Sequence, residues 1–231
     1  MTAVTTYTRP KPFAWSYSRL KNFETCPRRH HEIDILKNFR DESEQLDWGD
    51  RVHKAAHARL AKKVPLGAEL EPILGPWVAK IEAAGGKILV ENKLAITKEF
   101  KPCGYFDRDV WFRTVADVIQ IKDDVAGSYD WKTGKIIEDS VQLALVAQCV
   151  FSHYPKLAAI KSVFIWIREE ATTTEVFKRA DMPAVWEGLK DRVATLKHAY
   201  DTDEFPPTHN KLCRQYCPVT TCEFHGVSTW S

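Results

Sequence analysis

The stretch "TVADVIQIKDDVAGSYDWKTGK", residues 114–135, predicts two strands joined by a tight turn. Both ends are rich in β-branched and aromatic residues, and "KDDVAG" between them supplies turn residues. Asp117 lies in the first strand, and Asp130 follows thirteen positions later in the second. This separation suits a hairpin that places the two carboxylates side by side. Lys132 is two positions beyond Asp130, so both side chains are expected on one side of the sheet.

This arrangement of charges indicates a metal site. Two adjacent carboxylates resist ionisation together unless a cation lies between them, and Mg²⁺ or Mn²⁺ would remove that conflict. The Lys132 ammonium could then orient a nucleophile and offset charge that develops on phosphorus during an in-line displacement. Taken alone, a D-x-K tripeptide is more often a surface ion pair, so the rest of the chain must decide.

The segments around the hairpin predict an α/β domain. Helical patterns occur in "LDWGDRVHKAAHARLAKK", in "ELEPILGPWVAKIEAA" and in "MPAVWEGLKDRVATLKHAY", and two short helices precede them, interrupted at Pro27. Strand patterns occur in "KILVENKLAIT", "KSVFIWIRE" and "TTTEVFKRA", and "EDSVQLALVAQCVFSHY" predicts a helix that crosses over between strands. We therefore expect a mixed sheet of about five strands with flanking helices, in one domain over residues 1–231.

Composition excludes some classes of protein. The 231 residues are 44% hydrophobic and 28% charged, with no apolar run long enough to cross a bilayer. The start, "MTAVTTYTRPKPFAW", lacks the apolar segment of a secretory signal, so a cytoplasmic, reducing location without membrane partners is expected. A net charge of +2 gives no bulk argument for nucleic acid. In a reducing compartment, clustered cysteines favour metal binding over disulfides.

Five segments in this order resemble the PD-(D/E)xK nuclease superfamily: "SYSRLKNFETCPRRH", "WGDRVHKAAHARL", "TVADVIQI", "YDWKTGK" and "VQLALVAQ". The likeness is to its RecB-like exonuclease branch, which includes iron-sulfur CRISPR-adaptation nucleases and phage recombination exonucleases. It implies a restriction-endonuclease-like mixed sheet core flanked by helices. It also implies a metal-dependent exonuclease in DNA recombination, repair or processing. The substrate would be DNA with free ends or single strands, and a recombination or helicase protein could be a partner.

The resemblance also implies the roles of individual residues. Lys132 would be the catalytic lysine, and Gln142 would contact the substrate or Lys132. The metal ligands would be His53, Asp117, Asp130 and the main-chain carbonyl of Trp131. Glu91 could also reach the metal from a neighbouring strand, although surface exposure explains it equally well.

Two residues depart from the family pattern. Val146 stands where a tyrosine is expected, and Thr114 stands where a glycine often precedes the first aspartate. Val146 leaves open a scaffold that binds DNA without cutting it, whereas the intact acids and lysine favour an enzyme. A structure-specific endonuclease of the same fold is a further alternative.

The segment "LCRQYCPVTTCEFHG" indicates a second metal site. Cys213, Cys217 and Cys222 are close in sequence, and with Cys26 they could bind a [4Fe-4S] cluster or zinc. The resemblance implies a [4Fe-4S] cluster that joins an N-terminal helix (about 15–40) to the C-terminal segment (about 205–226). Because the spacing C-x3-C-x4-C departs from the family's C-x2-C-x5-C, a zinc site made by the three late cysteines and His225 remains an alternative. The "CPRR" context of Cys26 favours the cluster.

Overall fold

A six-stranded mixed sheet forms the centre of the protein, for which a computed structural model describes residues 13–137 and 139–228. The strands are β1 (Lys87–Ile96), β2 (Pro102–Cys103), β3 (Phe112–Lys122), β4 (Val125–Lys132), β5 (Ala159–Trp166) and β6 (Ala171–Lys178). Their spatial order is β2-β1-β3-β4-β5-β6. The predicted domain limits, 1 and 231, lie outside the described residues.

The strands β4 and β5 are parallel, and every other neighbouring pair is antiparallel. A parallel pair needs a crossover connection, which is provided by the helix α5 (Val141–His153). The predicted mixed sheet with flanking helices is confirmed. It has one strand more than expected because β2 contains only two residues, too few to produce a sequence pattern.

The other helices are α1 (Tyr17–Thr25), α2 (Pro27–His30), α3 (Glu44–Lys62), α4 (Glu71–Ala84) and α6 (Met182–Thr202). Ser16 and Ser43 cap α1 and α3, because each hydroxyl accepts a hydrogen bond from a first-turn amide. Pro27 separates α1 from α2, as predicted, and occupies the first position of α2. In the described ranges, no helix combines the length and the apolar character that a membrane span requires.

The sheet separates two hydrophobic clusters. Helices α1, α5 and α6 pack on one face, which we call the α5 face, through residues such as Leu20, Phe151 and Leu196. Helices α3 and α4 pack on the other, the α3 face, through residues such as Val52 and Leu74. Burial on both faces explains why β5 is an almost uninterrupted apolar run. The candidate site lies where this two-sided packing is interrupted.

Candidate active site

Glu91 interrupts the regular alternation of β1. It has a φ of 49°, a left-handed conformation that is costly for a residue with a Cβ. Before it, Val90 packs on the α3 face, whereas Leu94 beyond it packs on the α5 face. Leu94 is four positions after Val90, so regular pleating would put the two side chains on the same face. The left-handed residue therefore reverses the faces of the strand.

The neighbouring strand β3 makes the same switch opposite Glu91. Ala116 packs on the α5 face, while Val118, two positions later, packs on the α3 face. The register places Val90 against Val118 and Asn92 against Ala116, so Glu91 and Asp117 face each other across the gap in this ladder. Because both strands switch together, two acidic side chains are directed to the α3 face without a shift in register.

Helix α3 supplies a third side chain that can bind a metal ion. His53 Nδ1 lies 3.2 Å from Asp117 Oδ2, and the ligand atoms of His53, Glu91 and Asp117 all lie within 4.8 Å of one another. Gly49 allows α3 to approach this closely, since a Cβ at that position would lie 3.2 Å from Thr133 Oγ1. One imidazole nitrogen and two carboxylates suit a divalent cation such as Mn²⁺.

The pKa values in this group reflect its burial and its charges. Burial lowers the pKa of His53, but the hydrogen bond and the charge of Asp117 outweigh it, so the net shift is upward. Burial raises the pKa of Glu91, and the charge of Asp117 adds to the effect. A bound cation would favour the neutral imidazole and both carboxylate anions, so metal binding should release protons and strengthen with pH.

The second part of the site lies on β4 and α5. Lys132 Nζ donates to Gln142 Oε1 at 2.8 Å, and Gln142 Nε2 donates to Asp130 Oδ1 at 2.8 Å. Lys132 Nζ is also 2.7 Å from Asp130 Oδ2, so the two side chains form an ion pair.

Trp131 connects the two parts. The ladder between β3 and β4 ends at Val118 and Tyr129, and beyond it the Trp131 amide donates to Asp117 Oδ2 at 2.9 Å. Asp117 thus accepts a hydrogen bond from a backbone amide of β4 that has no backbone partner on β3. The hairpin brings Asp117 and Asp130 to the same end of the sheet, but the contacts of their carboxylates differ from the predicted side-by-side placement. Their carboxylates face different helices, because the switch in β3 turns Asp117 toward α3.

The charge state of Asp130 should depend strongly on pH in the metal-free protein. Burial raises the pKa of Asp130 to about 6, although the Lys132 ammonium opposes the rise and the charge of Asp117 adds to it. Because this folded pKa exceeds the unfolded value, stability from Asp130 is present below about pH 4 and is lost as pH rises through about 6. We expect Asp130→Asn, which does not titrate, to gain about 3 kcal/mol over the parent across that range.

Urea unfolding in a chelator at pH 4, 5.5 and 7 measures this difference. Asp123→Asn, in the exposed β3–β4 turn, controls for the loss of one negative charge. A difference between Asp130→Asn and the parent that stays constant over this range would contradict the burial argument.

A cleft opens beside the lysine, on the side of the N-terminal end of α3. It has a volume of about 450 Å³, and its lining includes Trp48, Thr133, Ile167 and Arg168. Thr133 follows Lys132 directly, and the Ile167 amide donates to the Lys132 carbonyl at 2.8 Å. The cleft is therefore close to the backbone of Lys132.

The sequence left the roles of Glu91 and Val146 open, and the structure places both residues. Glu91 lies in the metal-capable group, and the polar run "ENK" in an otherwise apolar strand was the available signal. Val146 is buried against the sheet among the apolar residues of α5. A side chain at this position cannot reach a substrate without displacing core residues.

The four clustered cysteines meet at the junction of the chain ends. One small cavity is lined by Cys26, Cys213, Cys217 and Cys222. Backbone amides donate to two of the sulfurs, Thr208 N to Cys26 Sγ at 3.3 Å and Asn210 N to Cys213 Sγ at 3.4 Å. His225 is exposed and is not part of the cavity lining.

Comparisons with known proteins were made for both the sequence and the fold. No curated protein matches the sequence. Among solved structures, a provisionally assigned exonuclease from Eubacterium rectale is 14% identical, with a TM-score of 0.53 over 85% of this chain and 84% of that one. The protein SSO0001 is 13% identical, over 96% of this chain and 90% of that one. Its TM-score of 0.43 is too low to support a shared fold. The first likeness supports the fold.

The sequence profile described as the PD-(D/E)XK nuclease superfamily matches residues 14–222, which include the hairpin, α3, α5 and all four clustered cysteines. This match covers most of the chain, and the chain therefore belongs to the PD-(D/E)XK nuclease superfamily.

Proposed function

We propose that this protein is a divalent-metal-dependent DNA exonuclease. The observation that carries the proposal is the connection through Trp131 between the cluster of His53, Glu91 and Asp117 and the group of Asp130, Lys132 and Gln142. The provisional assignment of the Eubacterium rectale protein as an exonuclease supports this proposal. Recombination, repair or DNA processing in the cytoplasm would be its setting.

The donor atoms fit Mg²⁺ or Mn²⁺. His53, Glu91 and Asp117 would hold the ion, while Asp130 and the Trp131 carbonyl remain predicted ligands. When bound, the ion polarises a phosphoryl oxygen and lowers the pKa of a water molecule. Of these ligands, Glu91 is held in a strained conformation, which fixes its carboxylate opposite Asp117.

The role of Lys132 is electrostatic. Its ammonium has three N–H groups, of which one donates to Gln142 and one faces Asp130. A remaining N–H group can orient the attacking water or stabilise charge on the phosphate that is being cleaved. Gln142 donates to Asp130 and accepts from Lys132, so it holds the two side chains in a fixed relation. Since Gln142 already binds Lys132, we assign it a positioning role.

We also propose that the four cysteines bind a [4Fe-4S] cluster. The four cysteines line one cavity, and four thiolates are the usual ligand set of such a cluster. Amide donors to the sulfurs are typical of cluster ligands. The residues of about 15–40 and 205–226 would form this cluster-binding part of the nuclease domain, with zinc as the alternative.

Degradation of internally labelled DNA tests the function. A linear single strand and a closed single-stranded circle of the same sequence are incubated with Mg²⁺ or Mn²⁺, and a linear duplex is run in parallel. An exonuclease shortens the linear strands and leaves the circle intact, and chelation stops the reaction. Cleavage of the circle would instead support the endonuclease alternative. Binding without any cleavage would support the scaffold.

Glu91 gives a specific test of the metal ligands. We expect Glu91→Gln to raise the Mn²⁺ concentration needed for half-maximal cleavage by about 10- to 100-fold, because an amide is a weaker ligand than a carboxylate. Calorimetric titration with Mn²⁺ measures the same change without DNA. Glu99→Gln, an exposed acid just beyond β1, is the matched control. Unchanged Mn²⁺ affinity in Glu91→Gln would remove Glu91 from the ligand set.

A further inference from the structure

An aromatic pair near the candidate site has one strongly exposed ring and one half-buried ring. Tyr105 and Phe106 lie in the loop between β2 and β3, with ring centroids 5.1 Å apart in an edge-on arrangement. Phe106 is 79% exposed, which is unusual for a phenylalanine, and no core cluster includes it in the described residues. Its apolar surface therefore does not contribute to the folded core.

Two cations lie against these rings. Lys93 Nζ is 5.8 Å from the Tyr105 centroid and 5.7 Å from that of Phe106, and the Arg113 guanidinium is 5.4 Å from the Tyr105 centroid. Neither cation forms an ion pair with any carboxylate in the described ranges. The nearby Asp107 carboxylate accepts from the Gly104 amide at 2.7 Å and so belongs to the turn. The two cations beside the rings therefore have no carboxylate partner within ion-pair distance in the described residues.

The register places this pair of cations in line with the acidic site. Lys93 pairs with Val115, and Arg113 pairs with Ala95, so both cations share the face to which Glu91 and Asp117 are directed. Lys93 is two residues beyond Glu91 on β1, a distance of about 7 Å along the strand. A polymer held at the acidic site would therefore extend over the rings within one or two of its repeats.

We propose that Tyr105 and Phe106, with Lys93 and Arg113, form a stacking platform for single-stranded DNA, next to the site where the strand is cut. This inference rests on the proposed function and specifies that the bound DNA is single-stranded. Exposed rings bind the faces of unpaired bases, and cations beside them bind the phosphates. Paired bases are stacked within a duplex and cannot offer their faces in this way, so the platform selects a single strand or a frayed end.

Fluorescence anisotropy with a labelled single strand and the matching duplex tests the platform, in a Lys132→Met background with Mg²⁺ so that the DNA stays intact. We expect Phe106→Ala to weaken single-strand binding by about tenfold, with duplex binding almost unchanged. Phe106→Trp should restore the affinity. Lys93→Gln should lower the slope of log affinity against log salt by about 0.7, the value for one phosphate contact. Tyr216→Ala removes an aromatic side chain that is 71% exposed in the C-terminal segment. It should leave single-strand binding and duplex binding unchanged.

The outcomes separate the platform from the function. If the enzyme with Lys132 intact cleaves single strands but Phe106→Ala binds them as tightly as its background, the platform is wrong and the nuclease stands. Equal losses for single strand and duplex would also overturn stacking on unpaired bases. If the intact enzyme neither binds nor cleaves DNA, the proposed function fails, and the platform fails with it.

Discussion

Replacing Lys132 with methionine is expected to lower the rate of DNA cleavage by about 10²- to 10³-fold, the typical loss for one transition-state donor. Methionine keeps the length of the stem but removes the charge and the hydrogen bond to Gln142. The side chain also lies over the Phe164 ring, with Nζ 4.7 Å from its centroid, and methionine retains that packing. The fold should therefore survive, which thermal unfolding can verify.

Lys135→Met is the matched control, because Lys135 is an exposed lysine three residues further along the same segment. It should cleave DNA at nearly the parental rate. A cleavage rate for Lys132→Met within about threefold of the parent would exclude the proposed role. Such a loss corresponds to less than about 1 kcal/mol of transition-state stabilisation.

The effect of Lys132 could also be indirect. Its charge lowers the pKa of the buried Asp130, so without it that carboxyl would hold its proton to a higher pH. If the lysine acted only in this way, cleavage by Lys132→Met would recover as pH rises and Asp130 ionises. A deficit that persists at high pH would assign the lysine a direct contact with the water or the phosphate.

The sequence predicted the parts of the site that depend on regular geometry. Asp130 and Lys132 are two residues apart on a regular strand and lie on one face. The hairpin followed from its turn residues and strand composition. These inferences hold because pleating and helical periodicity are local properties of the chain.

The parts that could not be predicted depend on one backbone conformation. Period-two alternation gives the wrong faces once Glu91 adopts a left-handed conformation, and nothing in the residue type requires it. The consequence extends to β3, where Asp117 turns toward His53 while Asp130 faces Gln142. Tertiary packing by α3 and α5 determines this division, and single-sequence patterns contain no information about which helix covers which strand.

The cysteine site is expected to have a larger effect on stability than on chemistry. Nearly the whole described chain lies between Cys26 and Cys213, so a cluster joining them closes a very long loop. For a cross-link of this length, loop-closure entropy alone corresponds to about 4–5 kcal/mol. We expect Cys26→Ala to lose the cluster and to lower the Tm by about 10–20 °C. Cys103 is a half-buried cysteine outside the cavity, so Cys103→Ser should change neither the cluster content nor the Tm.

The expected loss is less than complete unfolding, because protein contacts also join the chain ends. Asn210 Nδ2 donates to the Thr25 carbonyl at 3.0 Å, and the Arg28 amide donates to the Pro206 carbonyl at 3.3 Å. The nuclease core should thus remain folded in Cys26→Ala, and cleavage below the new Tm should continue, since the catalytic residues lie outside the cysteine cavity. Iron and zinc analysis of anaerobically purified parent identifies the metal. Zinc without iron would establish the alternative, and an unchanged Tm in Cys26→Ala would show that no bound group joins the two ends.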